Sequence, residues 1–237
     1  MTRLVALEAS SEYCSVALFD DGKMYYRQSL AAKSNANTIL PLLDALVIES
    51  GVALQELDGL SITIGPGSFT GIRISMAVTQ GLALAHNLKV IPVNSLELMA
   101  FQYGAGLSDS DLPIKVLPLL DARMNEYYWA VYQILRSGMI EITAPTLGSG
   151  DTLNALLSEL SEDDRIVGVG TGWGLHSLDK NILFRCDEKM TPNAKYLALI
   201  AAKRLQQGYL YEIDEVEPLY LRNEINWDKR KRIRSRN

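Results

Sequence analysis

Acid–base, metal and thiol chemistry need side chains that this sequence supplies sparingly. It holds two histidines, His86 and His176, and two cysteines, Cys14 and Cys186. It has no His-Glu-x-x-His, no paired-histidine motif and no Cys-x-x-Cys. A catalytic zinc ion usually takes three protein ligands of these kinds, so both histidines read as packed or solvated side chains. A Cys–His pairing has no motif behind it. Carboxylates are plentiful: Glu8, Glu12, Glu97 and Asp121 fall near the ends of expected strands, where general acids often sit. None of them specifies a reaction, and Asp121 and Arg123 are spaced for a local ion pair.

Two glycine-rich stretches are the other candidates. Gly65-Pro66-Gly67-Ser68-Phe69-Thr70-Gly71 joins an apolar run to the start of a helical one. Amides there would suit an anion, which makes Gly65, Gly67, Ser68 and Gly71 a candidate anion or nucleotide loop. It lacks the lysine of a Walker A motif, having Ile72-Arg73 instead, and Pro66 removes one donor. A tight turn capped by Ser68 fits the same residues. The second stretch, Gly168 to Gly174, has the same double character.

The elements that position these loops follow from periodicity. Residues 3–9 and 15–19 read as strands, Asp20-Asp21-Gly22 as a hairpin turn and 24–30 as a third strand. Ile39, Leu42, Leu43, Leu46 and Val47 recur at helical spacing over 37–50, with Pro41 tolerable only in a first turn. A buried strand over 59–64, a helix over 69–86, a strand over 89–93 and a helix over 96–103 follow. The loop-rich 104–113 marks a boundary. Beyond it come strands at 114–120, 126–134 and 139–144, a helix over 151–160, a strand at 165–169 and a helix over 193–207. Both halves open with antiparallel strands and later run a strand into a glycine turn. That order predicts an α/β protein of two mixed-sheet lobes: 1–106, then 107–223 with late segments able to pack back on the first lobe, then a basic tail at 224–237.

From Ile74 to Ala85 no residue is charged, and small side chains alternate with large apolar ones. A surface helix of a monomer should show a polar face. The 37–50 helix is also apolar on more than one face, with Leu40 opposite Leu42 and Leu43. Two such helices in one lobe favour a subunit interface over simple burial. Hydrophobic content of 48% and charged content of 22% suit a globular core without staples. Two isolated cysteines point to a reducing cytosol. Glu8 interrupts the apolar start too early for a secretory leader, and the uncharged run is too short to span a membrane. Net charge is −5, yet six of the last nine residues are basic, so the body is strongly acidic. Such asymmetry fits an RNA-contacting tail or a solvated one.

Four segments in order, Leu7-Glu8-Ala9-Ser10-Ser11-Glu12-Tyr13-Cys14-Ser15-Val16-Ala17-Leu18, the 65–73 loop, Leu120-Asp121-Ala122-Arg123 and Pro218-Leu219-Tyr220-Leu221-Arg222-Asn223, together resemble the TsaB (YeaZ) family. Gly170-Thr171-Gly172-Trp173 and the region of Trp227 resemble its enterobacterial form. The resemblance spans nearly the whole chain and implies an actin-like fold of the sugar kinase and Hsp70 superfamily, with two ribonuclease-H-like lobes. It further implies a non-catalytic, cytoplasmic subunit that pairs with the catalytic relative TsaD and the ATPase TsaE. That complex moves a threonylcarbamoyl group from its adenylate to the adenosine 3′ of the anticodon in tRNAs reading codons that begin with A. By the same resemblance the first two helices form the pairing surface, and the chain binds no cofactor itself while the complex uses ATP; the exposed apolar helices favour a homodimer when the chain is alone. The expected contacts are Leu40, Leu43, Val47, Phe69, Arg73, Met76 and Gln80, with Arg73 as the polar anchor. Where TsaD relatives carry a metal-binding His-x-x-x-His, this chain has Ser95 and Met99, which cannot replace imidazoles at a catalytic metal. Asn35 stands where TsaB relatives often keep a histidine, and the turn Glu8 to Glu12 lacks the glycine of a kinase-type phosphate loop. A glycoprotease-type peptidase and a free-standing kinase-like ATP-binding enzyme are the rival readings, separated by metal analysis and by nucleotide binding to the isolated chain.

Overall fold

The computed structural model describes residues 1–30, 36–160, 165–175, 178 and 180–222; Asn35, His176 and the basic tail lie outside them. Alternating apolar residues with a tight turn at Asp21-Gly22 build three antiparallel strands, β1 (Arg3–Glu8), β2 (Tyr13–Asp20) and β3 (Lys23–Leu30). Helix α1 (Ala36–Ser50) crosses to β4 (Gly59–Thr63), and α2 (Phe69–His86) crosses to β5 (Val90–Val93). Both strands run parallel to β1, giving the order β3-β2-β1-β4-β5.

After α3 (Ser95–Gly104) the pattern repeats. Strands β6 (Ile114–Arg123), β7 (Glu126–Leu135) and β8 (Gly138–Ser149) are antiparallel, and α4 (Gly150–Glu159) leads to β9 (Ile166–Val169). A short edge strand, β10 (Arg185–Asp187), completes the second sheet in the order β10-β9-β6-β7-β8. Read from the third strand of each half, the two sheets have the same order, β3-β2-β1-β4-β5 and β8-β7-β6-β9-β10. Among the described residues the last long helix is α5 (Ala194–Gln206).

The last helix of each half packs on the opposite half. Leu96, Met99 and Ala100 of α3 bury against Ile114, Val116, Tyr132 and Val167 of the second sheet. Leu197, Ala198, Ile200 and Ala201 of α5 bury against Leu4, Ala6, Ala17, Ile91 and Val93 of the first sheet, where Leu98 of α3 joins them. Glu97 of α3 and Arg204 of α5 pair at 2.6 Å within this shared layer. The first sheet's outer face carries α1 and α2, and the second sheet's outer face carries α4 and the wholly buried Trp173.

Two sequence expectations change here. Pro41 is inside α1, beyond its first turn; it sits on the exposed side, so the carbonyl freed by its missing amide can turn to water. Leu43 and Met76, expected on a partner surface, are core residues at 2% and 6% exposure. Both helices are apolar on two faces, and these side chains occupy the face that meets the sheet.

Candidate functional site: the interlobe cleft and the outer helix face

A cleft of about 670 Å³ opens where the parallel strands of both sheets end. The first lobe supplies Ser10, Ser11, Glu12, Gly67, Ser68 and Phe69. The second lobe faces them with Leu120 to Arg123, Tyr128, Thr171, Leu175 and Thr191.

The two first-lobe loops are clamped together. The Ser68 amide donates to the Ser10 carbonyl at 2.7 Å, and a Cβ at Gly67 would collide with that same oxygen. Ser68 also caps α2, its hydroxyl accepting from the Gly71 amide at 3.3 Å while its carbonyl takes the Ile72 amide. The amides of Ser68, Gly71 and Ile72 are therefore committed within the chain, which is the chemistry of a capped turn. The second glycine stretch makes a short 3₁₀ turn, Thr171–Gly174, that tucks Trp173 under β6 with its indole donating to the Leu117 carbonyl at 3.1 Å. Across the cleft, Arg123, Met124 and Asn125 all take left-handed backbone in the β6–β7 turn, a conformation that costs non-glycine residues free energy. Asp121 steadies it, accepting from the Arg123 amide at 2.7 Å and pairing with its guanidinium at 3.0 Å.

The candidate carboxylates do not converge. Glu12 and Asp121 line the cleft, and Glu97 belongs to the α3–α5 ion pair, its carboxyl raised above the usual range by burial. Glu8 is wholly buried at the end of β1. One of its oxygens accepts from the Ser10 amide and hydroxyl, each at 2.6 Å, and more distantly from Thr63; the other, Oε2, has no partner. Burial without a counter-cation lifts its pKa from 4.5 to about 7. The thiols are equally unactivated: burial pushes Cys14 up to about 12 and raises Cys186 as well.

Ser95 is buried and donates to the Ser10 hydroxyl at 3.0 Å, and Met99 is packed in the second-sheet core. Hydroxyl and thioether at these places serve packing and loop support. Among the described residues, no three His, Cys, Asp or Glu side chains gather as a metal site would require.

Of the other expected contacts, Phe69 lines the cleft and Leu40, Val47, Arg73 and Gln80 lie outside it. Leu40 of α1 and Phe69, Arg73 and Gln80 of α2 are exposed, and Val47 is half-buried against the core. Sequence reasoning missed two larger neighbours, Ile48 at 83% and Leu84 at 76% exposure. It noted Ala77, Gly81 and Ala85 among the small residues of this helix but not that their four-residue spacing puts them on one exposed face. Nothing lies within 4 Å of where a Gly81 Cβ would sit. Thr171 reaches the rim from the second glycine stretch, whereas the missed cleft residues Leu175 and Thr191 carry no local motif, because the topology alone brings them there.

Two five-stranded mixed sheets of matching topology, facing across a cleft with helices exchanged between them, define the duplicated, actin-like class of α/β proteins. Residues 28–159 match the family described as TsaD: tRNA N6-adenosine threonylcarbamoyltransferase. The chain is 35% identical to the tRNA threonylcarbamoyladenosine biosynthesis protein TsaB of Haemophilus influenzae, over 95% of its own length and 96% of the relative's. Identity to the Escherichia coli protein of the same description is 32%, over 96% and 97%. A solved structure of YeaZ from Pseudomonas aeruginosa superposes with a TM-score of 0.82 at 30% identity, covering 93% of this chain and all of that one. A second Pseudomonas aeruginosa structure, of a protein described as similar to peptidase YeaZ, gives 0.84 at 30%, covering 94% and 100%. The chain belongs to the TsaB family.

Proposed function

We propose that this chain is the accessory subunit of a tRNA threonylcarbamoyladenosine machinery, holding a TsaD-type catalytic subunit without catalysing the transfer itself. The observation that carries this reading is the outer face of α1 and α2. Leu40, Pro41, Ile48, Phe69, Ala77, Gly81 and Leu84 form an exposed surface on two adjacent helices, and α2 contributes no acidic residue to it. A soluble chain rarely leaves such an area uncovered unless another polypeptide covers it. The capped glycine turn, the unactivated thiols and the dispersed carboxylates fit a subunit whose chemistry lies in its partner. Two free cysteines suit the reducing cytoplasm where tRNA is modified, and no helix among the described residues is long and apolar enough to cross a membrane. Alone, the same face pairs two copies. A TsaE-type ATPase completes the assembly and consumes the ATP, and the basic tail adds phosphate contacts to tRNA.

Co-purification tests this reading. The chain mixed with TsaD is expected to elute as one complex, and the mixture with TsaE, threonylcarbamoyl-adenylate and tRNA to yield modified adenosine only when this chain is present. Modification of equal extent without it, or turnover by the solitary chain, would overturn the proposal.

A further inference from the structure

The chain beyond α5 returns along the first lobe. Tyr211 pairs with Val90 of β5 through both backbone bonds, and the Leu219 amide donates to the Ile64 carbonyl at 2.8 Å, beside the glycine turn. Arg222 then reaches the second lobe, meeting Glu126 at 2.6 Å and the Ala122 carbonyl at 3.0 Å. Between these anchors Tyr220 lies against the first turns of α2. Its hydroxyl accepts from Nε of Arg73 at 3.0 Å, and its ring stands 5.8 Å from that of Phe69. The Arg73 guanidinium is centred 3.8 Å above the Phe69 ring.

All three side chains are exposed. The guanidinium is held by one hydroxyl and two rings, and among the described residues it meets no carboxylate. The bond to Tyr220 uses Nε, so the two terminal Nη groups keep their donors for the planar fork that carboxylates match. Ordering a long arginine in advance removes part of the entropy cost of using it in an interface. The acid-free stripe of α2 continues directly from this cation. We infer that the strap carrying Tyr220 is part of the docking surface, and that with Phe69 it pre-orders Arg73 to receive a carboxylate of the partner subunit at the edge of the α1–α2 face. This rests on the pairing reading above and adds the chemistry of the partner's contact, an acidic side chain beside apolar ones.

Titration of the full chain against purified TsaD at 50 and 500 mM salt tests it. Wild-type affinity is expected to fall with salt, because the anchor is an ion pair near the interface rim. Arg73→Ala should weaken binding at least tenfold at low salt and flatten the salt dependence. Tyr220→Phe keeps the ring but loses the acceptor; it should weaken binding several-fold and keep the salt dependence, and Tyr220→Ala should weaken it further. All three substitutions are at exposed positions, so melting temperatures of the free variants should match wild type and exclude misfolding. Wild-type affinity and salt dependence retained in Arg73→Ala and Tyr220→Ala would overturn this inference and leave pairing intact. Failure of the wild type to bind would instead sink the pairing reading beneath it.

Discussion

At the scale of single residues, Glu8 is the group most at odds with its surroundings. Its carboxyl lies wholly buried between Ser10 and Thr63, and one oxygen has no partner. Desolvation raises its pKa to about 7, above the unfolded value of 4.5, so the folded chain keeps its proton through a window in which the unfolded chain has lost it. Stability must therefore fall as pH rises from about 4.5 to about 7 and change no further from this group above that. Each pKa unit is worth about 1.4 kcal/mol, so the full loss is on the order of 3 kcal/mol. Glu8→Gln keeps an acceptor for Ser10 and removes the titration. Urea unfolding at pH 5 and pH 8 should show the wild type losing stability relative to the variant by that order. Parallel profiles would mean that Glu8 titrates normally in the fold.

Among elements, α2 shows what a sequence reveals and what it withholds. Its length, its Ser68 cap and its lack of charge were legible, as were nearly all the other helices and strands. Which of its apolar faces meets the sheet was not: a helix apolar on two sides has no periodicity to choose between them, and Met76 turned inward while Leu84 turned out. Strand β10 left no trace either, since Arg185–Asp187 is an exposed three-residue edge strand without apolar alternation. The contact of Tyr220 with Arg73 joins residues far apart in sequence, beyond any local pattern. Knowing the exposed face permits a cleaner test than substitution of the buried Met76, whose replacement by a charge would damage the core. Gly81 faces open space, so Gly81→Trp should leave the free chain at least as stable, because leaving glycine behind in a helix gains about 0.5–1 kcal/mol less only what the larger side chain loses in freedom. If the Ala77–Gly81–Ala85 stripe lets a partner helix approach closely, the indole should cut affinity for TsaD more than tenfold in the same titration. Unchanged binding by a folded Gly81→Trp chain would place the docking surface elsewhere.

For the whole molecule, the exchange of α3 and α5 makes the two halves dependent on each other. The sequence division at 106 leaves in the first fragment a sheet whose inner face, with Leu4, Ala6, Ala17, Ile91 and Val93, is covered by α5 from the far end of the chain. Without α5 that face loses Leu197 and Ile200 and four buried alanines. At about 1.5–3 kcal/mol for each large aliphatic side chain, with the alanines added, the deficit is on the order of 5 kcal/mol or more. A domain holds only about 5–15 kcal/mol in total. The fragment 1–106 should thus lack a cooperative melt on its own, and the fragment 107–237 should fare no better, with α5 exposed and α3 missing from its sheet. The intact chain should unfold in one transition, with far-ultraviolet circular dichroism and tryptophan fluorescence coinciding, because no cut of the sequence separates its two cores. Mixing the fragments should restore part of the native signal, since the exchanged helices can then find their sheets. A fragment 1–106 that melts cooperatively alone, or two resolved transitions in the intact chain, would show that each sheet is stable without the helix it borrows.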